Sequence, residues 1–81
     1  MSAVKQKAQD VVLELLPGVS SEELSDHSDI FSLGLDSINA LSLIMNLQEA
    51  FEIQFEANEI SLDNFQTLSS IVYLIEKKKI Q

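Results

Sequence analysis

The segment that most constrains the fold is a predominantly apolar run that begins at Ser37 and ends at Phe51. Placed on a helix at about 100° per residue, its apolar side chains cover roughly two thirds of the circumference. The polar residues that share one narrow stripe are Asn39, Ser42, Asn46 and Glu49. A helix with so much apolar surface must pack between other elements. The sequence therefore predicts that 37–51 is the central and most buried helix of a small all-α domain.

The start of this helix is marked by Gly34, Asp36 and Ser37. Aspartate is a favoured N-cap residue because its carboxylate accepts a hydrogen bond from a free backbone N–H group of the first turn. Asp36 is therefore predicted to cap the helix, which places the Ser37 hydroxyl in the first turn. From these residues alone, an ordinary first-turn serine and a functional hydroxyl are about equally good interpretations.

Apolar residues at helical spacing predict a first helix over 3–16, capped by Ser2 and ended by Pro17-Gly18. Residues 19–36 then form a long loop, which is unusual in a compact domain and needs a physical reason. Five apolar side chains are expected to hold this loop against the ends of the helices. They are Leu24, Ile30, Phe31, Leu33 and Leu35.

Between Phe51 and Phe55, apolar and polar residues alternate, which is typical of a strand. No second strand pattern exists to pair with this segment, so we expect an extended connection that buries Ile53 and Phe55. A short third helix is expected within 57–62, followed by a turn at Asp63-Asn64.

Thr67 is predicted to cap the last helix. Its core face consists of Leu68, Ile71, Val72 and Ile75. Lys77, Lys78 and Lys79 suit the negative end of its dipole. Residues 1–81 are thus predicted to form one domain, a small four-helix bundle with three long helices and one short helix.

Charge is segregated along the chain. The formal net charge is −8, and the five lysines are Lys5, Lys7, Lys77, Lys78 and Lys79. Between the lysines at the two ends, the chain has no cation to bind phosphates, which argues against nucleic acid as a partner. There is no cysteine, no signal-peptide pattern and no apolar run of transmembrane length, so we expect a cytoplasmic protein without a membrane span.

The run Leu33-Gly34-Leu35-Asp36-Ser37, followed by Leu41, closely resembles the attachment site of acyl carrier proteins and peptidyl carrier domains. The similarity extends over nearly the whole chain, as far as Asn64-Phe65-Gln66-Thr67-Leu68, which is similar to the family's entry into its last helix. Gly-Leu-Asp-Ser at the head of such a helix, in a short acidic chain, is a fairly specific signal.

This resemblance implies that Ser37 carries a covalent 4′-phosphopantetheine arm derived from coenzyme A. It implies that Asp36 also assists the phosphopantetheinyl transferase, whose metal ion sits near this carboxylate. Other implied partners are acyl- or aminoacyl-loading and condensing enzymes, and the surplus acid suggests that their surfaces are basic. The candidate partner-recognition residues are Ile38, Met45, Glu49 and Glu56. We expect a monomer.

The chain shows no pattern of a catalytic or metal site of its own. The only histidine, His27, lies in the loop, and no Gly-x-Ser-x-Gly elbow surrounds Ser37. Asp26 and Asp29 lack the spacing of a calcium loop. We therefore expect a non-catalytic carrier of thioester intermediates. The alternative is a small acidic helical adaptor that binds a partner and is never modified.

The sequence departs from many fatty-acid carriers in one respect. Those carriers are acidic along the second helix, at places that match Asn39, Ser42 and Gln48 here. Polyketide or nonribosomal-peptide synthesis is therefore at least as good an interpretation as fatty-acid synthesis.

Overall fold

The computed structural model describes residues 3–79. Its elements are helices α1 (Ala3–Glu14), α2 (Ser37–Phe51), α3 (Leu62–Phe65) and α4 (Leu68–Lys79), with a 3-10 turn at Ala57–Glu59 before α3. No strand occurs within 3–79. The prediction of an all-α bundle with three long helices and one short helix is confirmed, whereas the predicted Ser2 cap lies outside the described residues.

Helix α1 lies between α2 and α4 and packs on both, while the short α3 packs on α4. The long loop contributes to the core, because Leu24, Ile30 and Leu35 are buried in it. Phe31 and Leu33 are partly buried against the same core. This confirms that apolar side chains hold the loop in place.

The prediction that α2 is the most buried helix is wrong. Only Leu43, Leu47 and Phe51 of α2 are buried, whereas α4 buries four residues. Ile38, Leu41 and Met45 are 79%, 62% and 60% exposed. The physical reason is the small number of elements: α1 packs on one side of α2, and no other helix within residues 3–79 packs closely along the opposite side. We call Ile38, Leu41 and Met45 the apolar face of α2.

The third helix begins later than predicted. Instead of a helix within 57–62 and a turn at Asp63-Asn64, the chain forms the 3-10 turn and then α3 at Leu62–Phe65. Ser61 caps α3, since its hydroxyl accepts a hydrogen bond from the Asn64 N–H at 3.4 Å. Phe65 is buried and its ring packs edge-on against Phe55 at 5.2 Å. The position of this helical turn therefore follows from the packing of Phe65 on Phe55, a contact between residues ten positions apart.

The other local predictions are mostly confirmed. Phe55 is buried and Ile53 half-buried in an extended connection, and the Ser70 N–H donates to the Thr67 hydroxyl at 3.1 Å as the cap of α4. Helix α1 ends at Glu14, two residues before the predicted end. In the core face of α4, Leu74 is buried while Val72 is only partly buried.

None of the helices described between residues 3 and 79 is long and apolar enough to cross a membrane.

Candidate functional site

The loop before α2 is shaped by the Asp29 carboxylate. Its Oδ1 atom accepts hydrogen bonds from the N–H groups of Phe31 and Ser32 at 3.0 and 3.3 Å. The Gln66 side-chain amide is the largest cause that holds the pKa of the Asp29 carboxyl below its ordinary value. Desolvation opposes it, and the N–H groups of Ser32 and Phe31 lower the pKa further. An ionised carboxylate therefore organises the turn that leads to the site.

Gly34 sets the direction in which the chain enters α2. Its φ is +124°, a conformation that residues with a Cβ atom rarely adopt. A Cβ atom at this position would lie 3.9 Å from Leu16 Cδ2, so space is not the constraint. The backbone conformation itself requires glycine here.

Asp36 is the N-cap of α2, as predicted. Its backbone is extended, and its Oδ1 atom accepts a hydrogen bond from the Asn39 N–H at 2.8 Å. Its carbonyl oxygen accepts from the Ala40 N–H, also at 2.8 Å. These bonds place Ser37 as the first residue of a 15-residue helix.

Ser37 is exposed, and its hydroxyl forms no hydrogen bond within the described part of the chain. His27 is also exposed, in the loop, and no described side chain is hydrogen-bonded to Ser37 as a general base would be. The helix N-terminus favours a phosphate group because its free N–H groups and dipole interact with negative charge. The site therefore offers an accessible hydroxyl where a phosphodiester is tolerated, without the neighbours of a catalytic serine.

Beside Ser37 an open groove of about 550 Å³ separates α2 from α3, and we call it the α2/α3 groove. Its apolar lining includes Phe31, Ile44, Ile60, Leu62 and Phe65. Among the described residues of the lining, Asp36 is the only charged one. Ile60, just before α3, and Leu62, at its start, are 46% and 58% exposed, so apolar surface of this segment is accessible to solvent.

A family model for the phosphopantetheine attachment site matches residues 7–75. The chain belongs to this family. The carrier protein is 35% identical over 68 residues to a D-alanyl carrier protein of Lactobacillus acidophilus, covering 80% of this chain and 86% of that one. It is 30% identical over 76 residues to an acyl carrier protein of Streptococcus pyogenes, covering 94% and 96% of the two chains.

A third relative is much longer than the carrier protein. Non-reducing polyketide synthase AC of Didymella fabae is 32% identical over 65 residues, a match that covers 80% of this chain but spans only 2% of the synthase.

Solved structures agree with the fold. The holo acyl carrier protein of Nitrosomonas europaea superposes with a TM-score of 0.84 at 25% identity, over the full length of both chains. A carrier protein from Agrobacterium tumefaciens, in complex with an engineered glycine:[carrier protein] ligase of Bradyrhizobium japonicum, superposes with a TM-score of 0.83. At 21% identity, over 91% of this chain and 97% of that one, this second likeness concerns the fold.

These findings confirm the predicted family, the carrier function and the covalent 4′-phosphopantetheine group. The residues described above fit that group: Ser37 supplies a free hydroxyl, α2 supplies an N-terminus for the phosphate, and the groove lies alongside. Carriers of this family are generally non-catalytic.

The structure places the predicted recognition residues on two elements. Ile38, Met45 and Glu49 are exposed on one side of α2, whereas Glu56 is exposed ahead of the 3-10 turn, where its N–H donates to Glu59 Oε1 at 2.7 Å. Leu41 was not among the predicted recognition residues, yet it is 62% exposed on the same helix. Its spacing from Ile38 and Met45, three and four residues away, was the available signal that the three share a face.

Proposed function

We propose that Ser37 is the residue that carries the arm and that the chain itself performs no catalysis. The observation that supports this is the free, exposed Ser37 hydroxyl at the capped start of α2. In the modification, the Ser37 oxygen forms a phosphodiester with the phosphopantetheine phosphate of coenzyme A, and 3′,5′-adenosine bisphosphate leaves. Once attached, the arm supplies the thiol that holds cargo as a thioester.

Asp36 has two proposed roles in this reaction. Its carboxylate caps α2 through the Asn39 N–H, which holds Ser37 in place. The carboxylate is also exposed, so it is free to interact with the metal ion of the phosphopantetheinyl transferase through its second oxygen.

We also propose that the cargo is an apolar acyl group rather than a charged aminoacyl group. The α2/α3 groove begins at Ser37 and is lined by apolar side chains. Burial of each methylene group in such a groove is favourable by about 0.8 kcal/mol, whereas a charged group there loses its hydration without a partner. The groove therefore favours acyl chains, as made in fatty-acid or polyketide synthesis, over the aminoacyl cargo of nonribosomal-peptide synthesis.

Partner enzymes are proposed to bind the apolar face of α2, with Glu49 and Glu56 attracting basic residues around it. Ile38, Leu41 and Met45 are exposed next to Ser37 in sequence and along the helix, so an enzyme bound there also reaches the arm. Methionine suits a surface that meets several partners. The expected partners are the transferase and the acyl-loading and condensing enzymes. The monomeric state and the cytoplasmic location stay predictions.

The experiment is modification of the purified protein by a broad-specificity phosphopantetheinyl transferase with coenzyme A and magnesium, followed by intact mass. We expect one added phosphopantetheine on the wild type and none on Ser37→Ala. Ser42→Ala is the matched control on the same helix and is expected to be modified fully. Circular dichroism of the three proteins shows whether each is folded. An unmodified wild type would favour the adaptor, and a modified Ser37→Ala would place the arm elsewhere.

A further inference from the structure

The two walls of the α2/α3 groove belong to different packing units. One wall comes from α2, which packs on α1, and the other from α3, which packs on α4. Helix α3 has only four residues. Its Asn64 side chain donates to the Glu59 carbonyl at 2.7 Å and its Phe65 ring packs on Phe55. These contacts hold α3 to its own side of the groove and do not link it to the start of α2.

Asp29 and Gln66 lie outside the lining of the groove and link the end of α3 to the loop before α2. Gln66, directly after α3, donates from Nε2 to Asp29 Oδ2 at 3.1 Å, and its carbonyl oxygen accepts from the Ile30 N–H at 2.8 Å. The other Asp29 oxygen accepts from Phe31 and Ser32 in the turn before α2. One carboxylate thus joins the end of α3 to the segment that positions Asp36 and Ser37.

This pair spans 37 positions in the sequence and is partly buried. Hydrogen bonds that involve an ionised carboxylate are stronger than those between neutral groups. Asp29 is ionised at neutral pH, as an aspartate of ordinary pKa is, and its hydrogen bonds lower that pKa further. No lysine forms an ion pair with Asp29 within residues 3–79, so the carboxylate relies on these N–H donors.

We propose that Asp29 and Gln66 are positioning residues that set the separation between α3 and the start of α2, and thereby how well the α2/α3 groove shields an acyl chain from water. This inference rests on the proposed function, in which the groove receives cargo. The Ile30–Gln66 backbone bond maintains the fold, while the side-chain pair adjusts the approach of the two walls.

The test measures shielding directly. The transferase loads the protein with octanoyl- or acetyl-phosphopantetheine from the corresponding acyl-coenzyme A, and the rate of thioester cleavage by hydroxylamine is followed by intact mass. The acetyl group is too short to use the groove and serves as the internal reference. In the wild type, octanoyl cleavage is expected to be slower than acetyl cleavage, by up to about fourfold for each methylene group withdrawn from water.

Gln66→Glu places a second carboxylate at the 3.1 Å contact with Asp29, so repulsion is expected to part the walls. If two further methylene groups become exposed, octanoyl protection falls by about fifteenfold, while acetyl cleavage is unchanged. Adding Asp29→Asn to Gln66→Glu restores a donor opposite the new acceptor, and protection is expected to recover. Recovery in the double variant distinguishes positioning from a general loss of stability.

Gln6→Glu is the matched control. Gln6 Nε2 also donates to an aspartate, Asp10 Oδ1, at 3.1 Å, but this pair is exposed on α1 and does not line the groove. The Gln6→Glu variant is expected to leave octanoyl protection unchanged.

The outcomes separate the two claims. Failure of the wild type to accept the arm on Ser37 would overturn the proposed function. Normal loading together with unchanged octanoyl protection in Gln66→Glu would overturn the positioning role alone. A loss of octanoyl protection in Gln66→Glu that Asp29→Asn does not reverse would also overturn the positioning role. Equal octanoyl and acetyl rates in the wild type would show that the groove does not shield cargo, and would also overturn the inference.

Discussion

Substitutions of Asp36 separate its role as a helix cap from the role of its charge. The Asp36 carboxylate accepts the Asn39 N–H at 2.8 Å, and loss of such an N-cap costs about 1 kcal/mol of unfolding free energy. For a chain of 81 residues, 1 kcal/mol corresponds to a melting temperature about 4–8 °C lower. Asp36→Ala is expected to show this decrease. Asp36→Asn is not, because asparagine is as good an N-cap as aspartate.

Modification kinetics then test the charge. A lost interaction with a charged group costs about 1.5–3 kcal/mol, which is about tenfold or more in kcat/KM. If the carboxylate assists the metal ion of the transferase, both variants are expected to be modified at least about tenfold more slowly than the wild type. Thermal melting and the transferase kcat/KM are measured for all three proteins.

Thr67→Ala is the matched control, since it removes the cap of α4, which lies outside the lining of the groove at Ser37. It is expected to lower the melting temperature by a similar amount without slowing modification. Wild-type modification of Asp36→Asn would refute the role of the charge. An unchanged melting temperature in Asp36→Ala would refute the capping argument.

Three further predictions follow from the packing and charges. Alanine at Ile38, Leu41 or Met45 is expected to weaken binding of a loading enzyme by about tenfold, because a side chain buried at an interface contributes about 1.5–3 kcal/mol. Titration calorimetry measures the binding. Tyr73 is also exposed, and equal weakening by Tyr73→Ala would contradict the prediction. Only two ion pairs are seen within residues 3–79. Raising the sodium chloride concentration from about 0.01 to 0.1 M is therefore expected to raise the melting temperature, because salt screens the repulsion between acidic side chains. A lower or constant melting temperature would show that this repulsion does not destabilise the fold. The Lys78 ammonium, followed by the Glu56 N–H, lowers the pKa of Glu59, and the Gln66 amide lowers that of Asp29. The stabilisation from these two ionised carboxylates is therefore present above the unfolded-state pKa values of about 4.3 and 3.9 and lost as pH falls below them. Melting at several pH values tests this, since Glu59→Gln and Asp29→Asn are each expected to lose less stability in acid than the wild type.

Local interactions were the features that the sequence could predict. Asp36 and Thr67 cap helices through hydrogen bonds that span three residues, so residue type and position suffice to locate them. The extent of α2, and with it the end of the long loop, was predicted for the same reason, because helical spacing and the Asp36 cap are local signals.

Features that depend on distant contacts were not predictable in this way. Helix α3 forms where Phe65 packs on Phe55. The Ser61 cap is a local signal for 62–65, but it did not outweigh the acidic residues that favoured 57–62. Leu41 is an apolar residue of the kind usually found in a core, yet it is 62% exposed because no element within residues 3–79 covers it. The pairing of Asp29 with Gln66 joins residues 37 positions apart and depends on how α3 lies against the loop.

The exposure of Leu41 also changes how partner choice is explained. The stripe of Asn39, Ser42 and Asn46 is half-buried, so the surface offered to enzymes is mainly the apolar face of α2. Acids introduced at Asn39 and Ser42 would therefore lie at the edge of the contact surface and interact only weakly with basic partners. Discrimination between fatty-acid and specialised enzymes is expected to depend more on apolar contacts than on the number of acids along α2.

The measurement that tests the central claim most directly is tandem mass spectrometry of the protein isolated from its native host. It locates any covalent group on the chain and identifies what the thiol carries. We expect phosphopantetheine on Ser37, with an apolar acyl thioester in the loaded fraction. An unmodified Ser37 in every fraction, or an arm on another residue, would contradict the assignment of the site. A charged aminoacyl cargo on Ser37 would contradict the role of the α2/α3 groove.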